Sequence, residues 1–415
     1  MYRIKNLTLL ACLASLASAG ITRADSWPQF RGPDRSEISK ETGLLKQWPE
    51  GGPKQLWLYK DAGLGYAGFS VVGPTLYTMG ARGDVETLIA IDVKEGSQKW
   101  ATPMGAMLTN PWGNGPRGTP TFDDNHLYAL SGQGELVCAN AADGAIVWKA
   151  SMEDFGGKRP GWGYTESPLV DGDKVMCTPG GSKGAIVALD KKTGKLVWQS
   201  KDFTEGAQYS SIIPADLNGK RQYIQLTMSR LVGLDAADGK VLWTSDWPGK
   251  TAVIPTPIVH DNYVYVTSGY KVGCKLVQIS PDNKATDVYS SKLMENHHGG
   301  VVLVGDYLYG FSNNGGWTCQ DFKTGKVVWS EKKKLGKGCL TYADGMLYLM
   351  GEADGDVVLI EASPDGWKEH GRFKLQNQTT QRSPKGHIWT HPVISDGKLY
   401  LRDQELISCY EVSAK

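Results

Sequence analysis

The sequence predicts an all-β fold, an eight-bladed β-propeller whose blades are four-stranded antiparallel sheets. A sequence motif that ends in an aromatic residue recurs about every 45 residues, which is the length of one propeller blade. Short alternating strands separated by Gly, Asp and Asn turns fill each period, as antiparallel meanders require. The two ends of the chain carry incomplete blades that complement each other.

The repeated motif consists, in order, of an apolar residue, Asp or a substitute for it, a turn that ends in Gly, and Trp. Asp can accept backbone N–H groups across the turn, Gly accepts a positive φ, and Trp packs between neighbouring blades. We therefore predict that the repeat Trp residues are structural. The successive aromatic anchors are Trp57, Trp100, Trp148, Trp198, Trp243, Tyr289, Trp329 and Phe373.

The eighth blade is predicted from the two ends of the chain. Pro53–Tyr59 reads as a lone last strand, and His391–Val412 supplies about three strands without a last one. Pairing them closes the ring and removes exposed sheet edges. We therefore place the propeller at residues 53–415, preceded by an extended segment at residues 25–52.

The first 24 residues read as a secretory signal peptide. Arg3 and Lys5 precede an apolar stretch from Leu7 to about Ala19, and small residues offer cleavage sites after Ala19 or Ala24. The apolar stretch is too short to span a bilayer as a permanent helix. We expect a periplasmic or secreted protein without a membrane span, and lipid attachment at Cys12 stays open as an alternative to free export.

Charge and cysteine usage narrow the function classes. The chain has 45 basic and 44 acidic side chains and no basic block, so nothing indicates nucleic-acid binding. Six cysteines beyond Cys12 are scattered without a CxxC motif, which favours buried thiols over a disulfide framework. We expect a monomer that binds a small molecule or an envelope protein.

The repeated motifs resemble those of the pyrroloquinoline-quinone (PQQ)-like repeat family, over roughly residues 53–412. That family includes PQQ-dependent alcohol dehydrogenases and outer-membrane assembly lipoproteins of the BamB type. The opening Trp27–Pro33 is similar to the start of many exported PQQ-like propellers. Because the family mixes enzymes with scaffolds, the resemblance implies the fold and leaves the function open.

The resemblance also implies what a quinone enzyme would contain. Such enzymes stack PQQ on a Trp beneath a disulfide of adjacent cysteines, bind Ca²⁺ through Glu, Asn and Asp, and use an Asp base. This sequence has no adjacent cysteine pair and no CxxCH for a covalent haem. PQQ with Ca²⁺ therefore belongs to the alternative function, and the cofactor stays unassigned.

The loops that enter the innermost strands meet at one mouth of a propeller channel, where ligands usually bind. Two of these loops, 110–117 and 159–166, are rich in Gly and aromatic residues that blade packing does not require. The mouth residues predicted from the repeat are Tyr66, Arg117, Thr165, Glu166, Tyr209, Ser210, Ile254, Pro255, His297, His298, Lys337, Trp389, Thr390 and His391.

The candidate binding residues are Trp112, Arg117, Trp162, Tyr164, Glu166, His298, Trp389 and His391. A Trp could stack on a planar or sugar-like ligand, Arg117 could bind a carboxylate in a bidentate fork, and Glu166 could be a base or a Ca²⁺ ligand. A structural interpretation instead pairs Arg117 with Glu166.

The histidines of this mouth could in principle bind a transition metal. No HExxH motif or short His spacing supports a metal site, so we predict surface or hydrogen-bonded histidines and no metal. The leading hypothesis is a ligand- or protein-binding module of the periplasm or cell envelope. The alternative is a PQQ-dependent dehydrogenase for an alcohol or sugar, in which Trp112 or Trp162 stacks on the quinone and Glu166 is the candidate catalytic residue.

Overall fold

The computed structural model describes residues 26–414. The predicted signal peptide and Cys12 lie outside the described residues. Between residues 26 and 414 the strands form eight antiparallel blades in a ring, so the predicted eight-bladed propeller is confirmed. No helix within this part of the chain is both long and apolar enough to cross a membrane.

The strands follow one another along the chain in blade order, after two strands that join blades completed later. The two early strands are β1 (Ile38–Ser39) and β2 (Gln55–Tyr59). Blades 1 and 2 contain β3 (Ser70–Val72), β4 (Thr75–Arg82), β5 (Val85–Asp92), β6 (Gln98–Ala106), β7 (Thr121–Asp123), β8 (His126–Leu130), β9 (Glu135–Asn140) and β10 (Ile146–Ser151). Blades 3 and 4 contain β11 (Leu169–Asp171), β12 (Lys174–Cys177), β13 (Val187–Asp190), β14 (Leu196–Gln199), β15 (Ile213–Leu217), β16 (Lys220–Leu226), β17 (Arg230–Asp235) and β18 (Val241–Asp246).

A short 3₁₀ helix, Met152–Phe155, follows blade 2 in the first half of the ring. The second half of the ring has the same strand order. Blades 5 and 6 contain β19 (Ile258–His260), β20 (Tyr263–Ser268), β21 (Gly273–Ile279), β22 (Ala285–Ser291), β23 (Val301–Val304), β24 (Tyr307–Ser312), β25 (Gly316–Asp321) and β26 (Val327–Glu331). Blades 7 and 8 contain β27 (Gly338–Ala343), β28 (Met346–Gly351), β29 (Asp356–Glu361), β30 (Glu369–Lys374), β31 (Val393–Ser395), β32 (Lys398–Asp403) and β33 (Leu406–Glu411).

The ring is closed by strands from both ends of the chain, as predicted. The order in blade 8 is β31–β32–β33–β2, and β2 pairs with β33 from Gln55 opposite Tyr410 to Tyr59 opposite Ile407. The outer strand of blade 8, β2, is therefore paired with β33 although the two strands come from opposite ends of the propeller. Both ends of the propeller are tied into one sheet.

The repeated motif joins neighbouring blades, as blade 1 illustrates. In blade 1, Asp92 Oδ1 accepts the backbone N–H groups of Lys94 and Glu95 at 2.9 and 3.0 Å, which fixes the turn. Trp100 Nε1 then donates to the carbonyl of Ala141 in blade 2 at 3.1 Å. Gly144, at φ 76°, lies flat on that Trp ring, and a Cβ there would be 2.5 Å from it. The repeat residues thus serve blade packing.

The segment before the propeller crosses the inside of the ring. β1 pairs in parallel with β27 as a fifth strand of blade 7, and Trp27 bridges to Val71 in blade 1. Arg35 is 3% exposed and donates to the carbonyls of Ser167 and Ile212, at the entrances of blades 3 and 4, at 3.0 and 2.6 Å. This segment therefore belongs to the packed structure of the channel.

The buried Arg35 generates a stability prediction. Arg35→Met leaves the carbonyls of Ser167, Pro168 and Ile212 without their donor, and we expect the free energy of unfolding to fall by about 3 kcal/mol. Lys40→Met is the control, because Lys40 pairs only with Asp34 at the surface and should change stability by less than about 0.5 kcal/mol. Urea-induced unfolding measures both, and equal effects would contradict the assigned role of Arg35.

Candidate functional site

A cavity of about 360 Å³ lies at the centre of the ring. Trp27, Phe30, Arg31 and Glu37 of the N-terminal segment line it, so this segment closes one end of the cavity. Trp112 is 40% exposed and also lines it, which marks the open rim. The other aromatic and charged residues of the lining are Tyr66, Phe69, Arg117, Trp162, Tyr209, Tyr270, His297, His298, Lys337, Glu352, His387, Trp389 and His391.

Six of the eight candidate binding residues line this cavity. Trp112 and Arg117 come from the loop into blade 2, and Trp162 comes from the loop into blade 3. The remaining members are His298, Trp389 and His391. The equivalent positions in successive blades meet here because every blade presents its first strand to the channel.

Tyr164 and Glu166 lie outside the cavity lining. Thr165, between these two buried residues, lines the cavity, so neighbouring side chains of this loop point in opposite directions. Tyr164 is 2% exposed and donates to the carbonyl of Pro179 at 3.1 Å. Glu166 is 3% exposed and accepts the hydroxyl of Thr178 at 2.8 Å, in addition to its backbone N–H.

Arg117 occupies one wall of the cavity and forms no ion pair there, although the buried Glu86 attracts its charge. Its guanidinium carbon lies 4.9 Å from the ring centroid of Tyr66, and its Nη2 donates to the carbonyl of Gly113 at 2.7 Å. The predicted alternative, an ion pair with Glu166, does not form, because Glu166 bonds to Thr178. Arg117 Nε is buried without a hydrogen-bond partner.

Aromatic rings extend this wall. The Tyr66 hydroxyl donates to the Trp112 carbonyl at 2.7 Å, and the Tyr66 and Trp389 ring centroids are 4.8 Å apart. Trp389 Nε1 donates to Glu352 at 3.1 Å, so its indole is held at both ends. These contacts fix the ring orientations before any ligand arrives.

A hydrogen-bonded chain faces the cavity from the side of blades 5 to 7. The Lys337 ammonium donates to His297 Nδ1 at 2.7 Å, so the proton of this imidazole is on Nε2, which donates to the Tyr270 hydroxyl at 2.7 Å. Burial, aided by His298 and Lys337, lowers the pKa of His297 to about 2. His297 is therefore neutral, and the Tyr270 O–H remains available to a ligand.

Tyr270 was missed by sequence reasoning. It stands in the hairpin turn between β20 and β21, where Tyr270 and Lys271 have φ values of 58° and 64°. Such values favour Gly or Asn, and strained residues in turns often mark functional positions. The signal in the sequence was a Tyr-Lys pair at the tip of a hairpin, which could be recognised once the turn had been located.

The closed end of the cavity is ionic. His391 Nδ1 lies 3.0 Å from Glu37 Oε2, and His391 Nε2 lies 2.8 Å from the carbonyl of His298. Both nitrogens face acceptors, so both carry protons and the imidazole is a cation. Burial alone would lower the pKa of His391, but the Glu37 carboxylate raises it well above its usual range. Arg31 lies 3.6 Å from the same carboxylate.

Comparison with known proteins identifies the family. A family model described as outer membrane protein assembly factor BamB matches residues 84–331, which is more than half of the chain. The chain belongs to this PQQ-like propeller family. The BamB of Escherichia coli strain K12 is 24% identical over 320 residues, covering 74% of this chain and 76% of that protein.

Two further relatives show how broadly the family fold is used. The tetrathionate hydrolase of Acidithiobacillus ferrooxidans is 25% identical over 284 residues, covering 64% of this chain and only 52% of that enzyme. The quinohemoprotein alcohol dehydrogenase of Comamonas testosteroni superposes with a TM-score of 0.63 at 13% identity, covering 96% of this chain and 82% of that chain. The dehydrogenase likeness shows the fold alone.

The residues of the cavity do not fit the Ca²⁺-bound quinone that the resemblance to PQQ-dependent enzymes implies. Residues 26–414 contain no group of three or more His, Cys, Asp or Glu side chains placed to hold a metal ion. The carboxylates of the lining, Glu37 and Glu352, are each committed to cationic side chains. All six cysteines of this part are buried free thiols, which confirms that interpretation and leaves no disulfide platform.

Glu166 generates a pH prediction. Burial raises its pKa from 4.5 to about 7, so the folded protein holds a proton that the unfolded chain releases. The free energy of unfolding should therefore fall by about 3 kcal/mol as the pH rises from about 4.5 to 7. Glu166→Gln, which cannot ionise, should lose this part of the decline.

Urea-induced unfolding at several pH values between 4.5 and 8 measures the difference. The exposed Glu153→Gln serves as the matched control and should follow the wild-type profile. Parallel profiles for wild type and Glu166→Gln would show that the folded-state pKa of Glu166 is not raised.

Proposed function

We propose that this chain is an exported binding propeller of the periplasm or cell envelope, whose central cavity binds a small organic ligand that contains a ring. The observation that carries the proposal is the cavity itself. It is lined by aromatic rings and a few fixed polar groups, and the chain's own N-terminal segment closes one end. Such a combination of apolar walls and converging polar groups is typical of small-molecule sites.

The aromatic residues support a ring-shaped ligand. Trp112, Trp162 and Trp389 stand outside the repeat positions, so joining the blades does not require them. Trp162 is held edge-on by Tyr209, with ring centroids 5.6 Å apart. Indole rings held in this way offer flat faces to a planar compound or to the apolar face of a sugar.

The polar groups support recognition of hydroxyl or carboxyl oxygens. The Tyr270 hydroxyl receives the His297 Nε2–H and keeps its own proton for a ligand. Lys337, 3.5 Å from Glu352, stays oriented by that ion pair. A site with preset donors binds without the entropy cost of ordering them.

Oxidation through PQQ and Ca²⁺ is the function that this donor set supports least. Glu166, the candidate base, faces Thr178 rather than the cavity. The Glu37 and Glu352 carboxylates form ion pairs. We therefore assign the cavity to binding and keep PQQ with Ca²⁺ as a compound to be tested.

Docking to an envelope protein is the second candidate, because relatives in this family are named outer membrane protein assembly factors. Two neighbouring apolar side chains on the outer strand of blade 3, Leu196 and Val197, are 50% and 49% exposed. Docking at an outer strand would not depend on the cavity Trp residues. Variants of those residues therefore separate the two functions.

The proposal predicts that a ring compound binds beside the cavity Trp residues. We expect quenching of Trp fluorescence and a raised melting temperature with at least one of glucose, glucuronate, benzyl alcohol and benzoate, and we expect any effect of PQQ to be the same with and without Ca²⁺. Trp162→Ala and Trp389→Ala should each weaken that binding about fivefold, because each removes one aromatic face.

Trp367→Ala is the matched control, since Trp367 packs beside the outer strand of blade 7 and not in the cavity. It should bind as the wild type does. A melting temperature that rises only with PQQ and Ca²⁺ would favour the dehydrogenase. Binding that is unaffected by the Trp162 and Trp389 substitutions would place the ligand elsewhere.

A further inference from the structure

Arg117 forms no ion pair in the described part of the chain, and Glu86, the carboxylate that attracts its charge, is bound to two backbone N–H groups instead. The contacts of Arg117 are the Tyr66 ring and the Gly113 carbonyl, and its Nε is buried without a partner. A guanidinium keeps its charge in a protein interior. A half-buried cation that forms no ion pair is costly, so an anion supplied from outside would be favourable here.

The whole cavity lining carries the same imbalance. The lining holds four cationic side chains and two carboxylates. Glu352 neutralises Lys337, 3.5 Å away. The single carboxylate of Glu37 forms ion pairs with both Arg31, 3.6 Å away, and His391, 3.0 Å away. One positive charge is therefore left at the closed end and another at Arg117, and a cavity with this excess attracts anions.

The surroundings of Arg117 indicate which anion fits. One uncompensated guanidinium matches the single charge of a carboxylate, and its planar fork matches the two carboxylate oxygens. A phosphate ester carries almost two charges and favours several donors. The ring of Tyr66 lies against the guanidinium, and the Trp389 ring adjoins the Tyr66 ring with centroids 4.8 Å apart. An anion at this place must therefore be attached to a group that can pack against aromatic faces.

We infer that the ligand of the central cavity is a ring compound bearing a carboxylate, and that this carboxylate pairs with Arg117. The inference rests on the proposed function and specifies its ligand class. Two sources share this chemistry, a sugar acid and an aromatic acid. The Tyr270 hydroxyl lines the same cavity from blade 5 and keeps a proton to donate to another oxygen of such a ligand.

Titration calorimetry with two matched pairs of probes tests the inference. Glucuronate is compared with glucose, and benzoate is compared with benzyl alcohol, so that each pair differs mainly in the carboxylate. We expect the acid of one pair to bind at least tenfold more tightly than its neutral partner. The pair that shows the preference identifies the source of the ligand.

Variants assign the preference to Arg117. Arg117→Met should abolish the preference for the acid, while Arg117→Lys should retain part of it, because an ammonium keeps the charge and loses the fork. Arg159→Met is the matched control, since Arg159 is exposed in the neighbouring loop and bonds to Gln133 outside the cavity lining. It should keep the full preference.

The outcomes separate the inference from the proposed function. Equal binding of acid and neutral probes by the wild type would overturn the inference and leave the binding function standing. A preference that survives in Arg117→Met would overturn the assignment to Arg117. Failure of all four probes to bind would overturn both. If Arg117→Met does not fold, the wild-type ratio and Arg117→Lys decide.

Discussion

The passage of the N-terminal segment through the ring is the constraint on which the site depends. An eight-bladed propeller leaves a channel that neighbouring blades alone do not fill. Here Arg35 fastens the segment to the entrances of blades 3 and 4, and β1 fastens it to blade 7. The channel thereby becomes a cavity closed at one end. Arg31 and Glu37 bring to that end the charges that meet His391.

Trp residues at repeat positions pack between blades, and several Trp residues outside those positions line the cavity. Trp100, Trp148 and Trp198 lie between blades, each covered by a turn Gly of the next blade and hydrogen-bonded to a backbone carbonyl there. Because this packing is complete, Trp112, Trp162 and Trp389 are free to line the cavity. The same residue type thus stabilises the ring at one position and shapes the site at another.

The sequence was sufficient for the fold because its signals are local and repeated. The repeated motifs and the complementary ends of the chain predicted eight blades and the closure of the ring. The mouth of the channel was located from equivalent positions in successive blades. The prediction could not decide which neighbour in an extended loop faces inward, so Tyr164 and Glu166 turned out to lie between blades while Thr165 lines the cavity. Arg31 and Glu37 could not be predicted as site residues, because their partners lie hundreds of residues away.

Hydrogen–deuterium exchange of the intact protein tests the central claim most directly. The Glu37 amide bonds to the Arg31 carbonyl and the Tyr342 amide bonds to the Glu37 carbonyl, so peptides covering residues 27–41 should exchange as slowly as the inner strands of blade 7. Complete exchange of these peptides within seconds, at the rate of an unstructured tail, would contradict the account. The cavity would then have no closed end, and the pairing of Glu37 with His391 would not persist in solution.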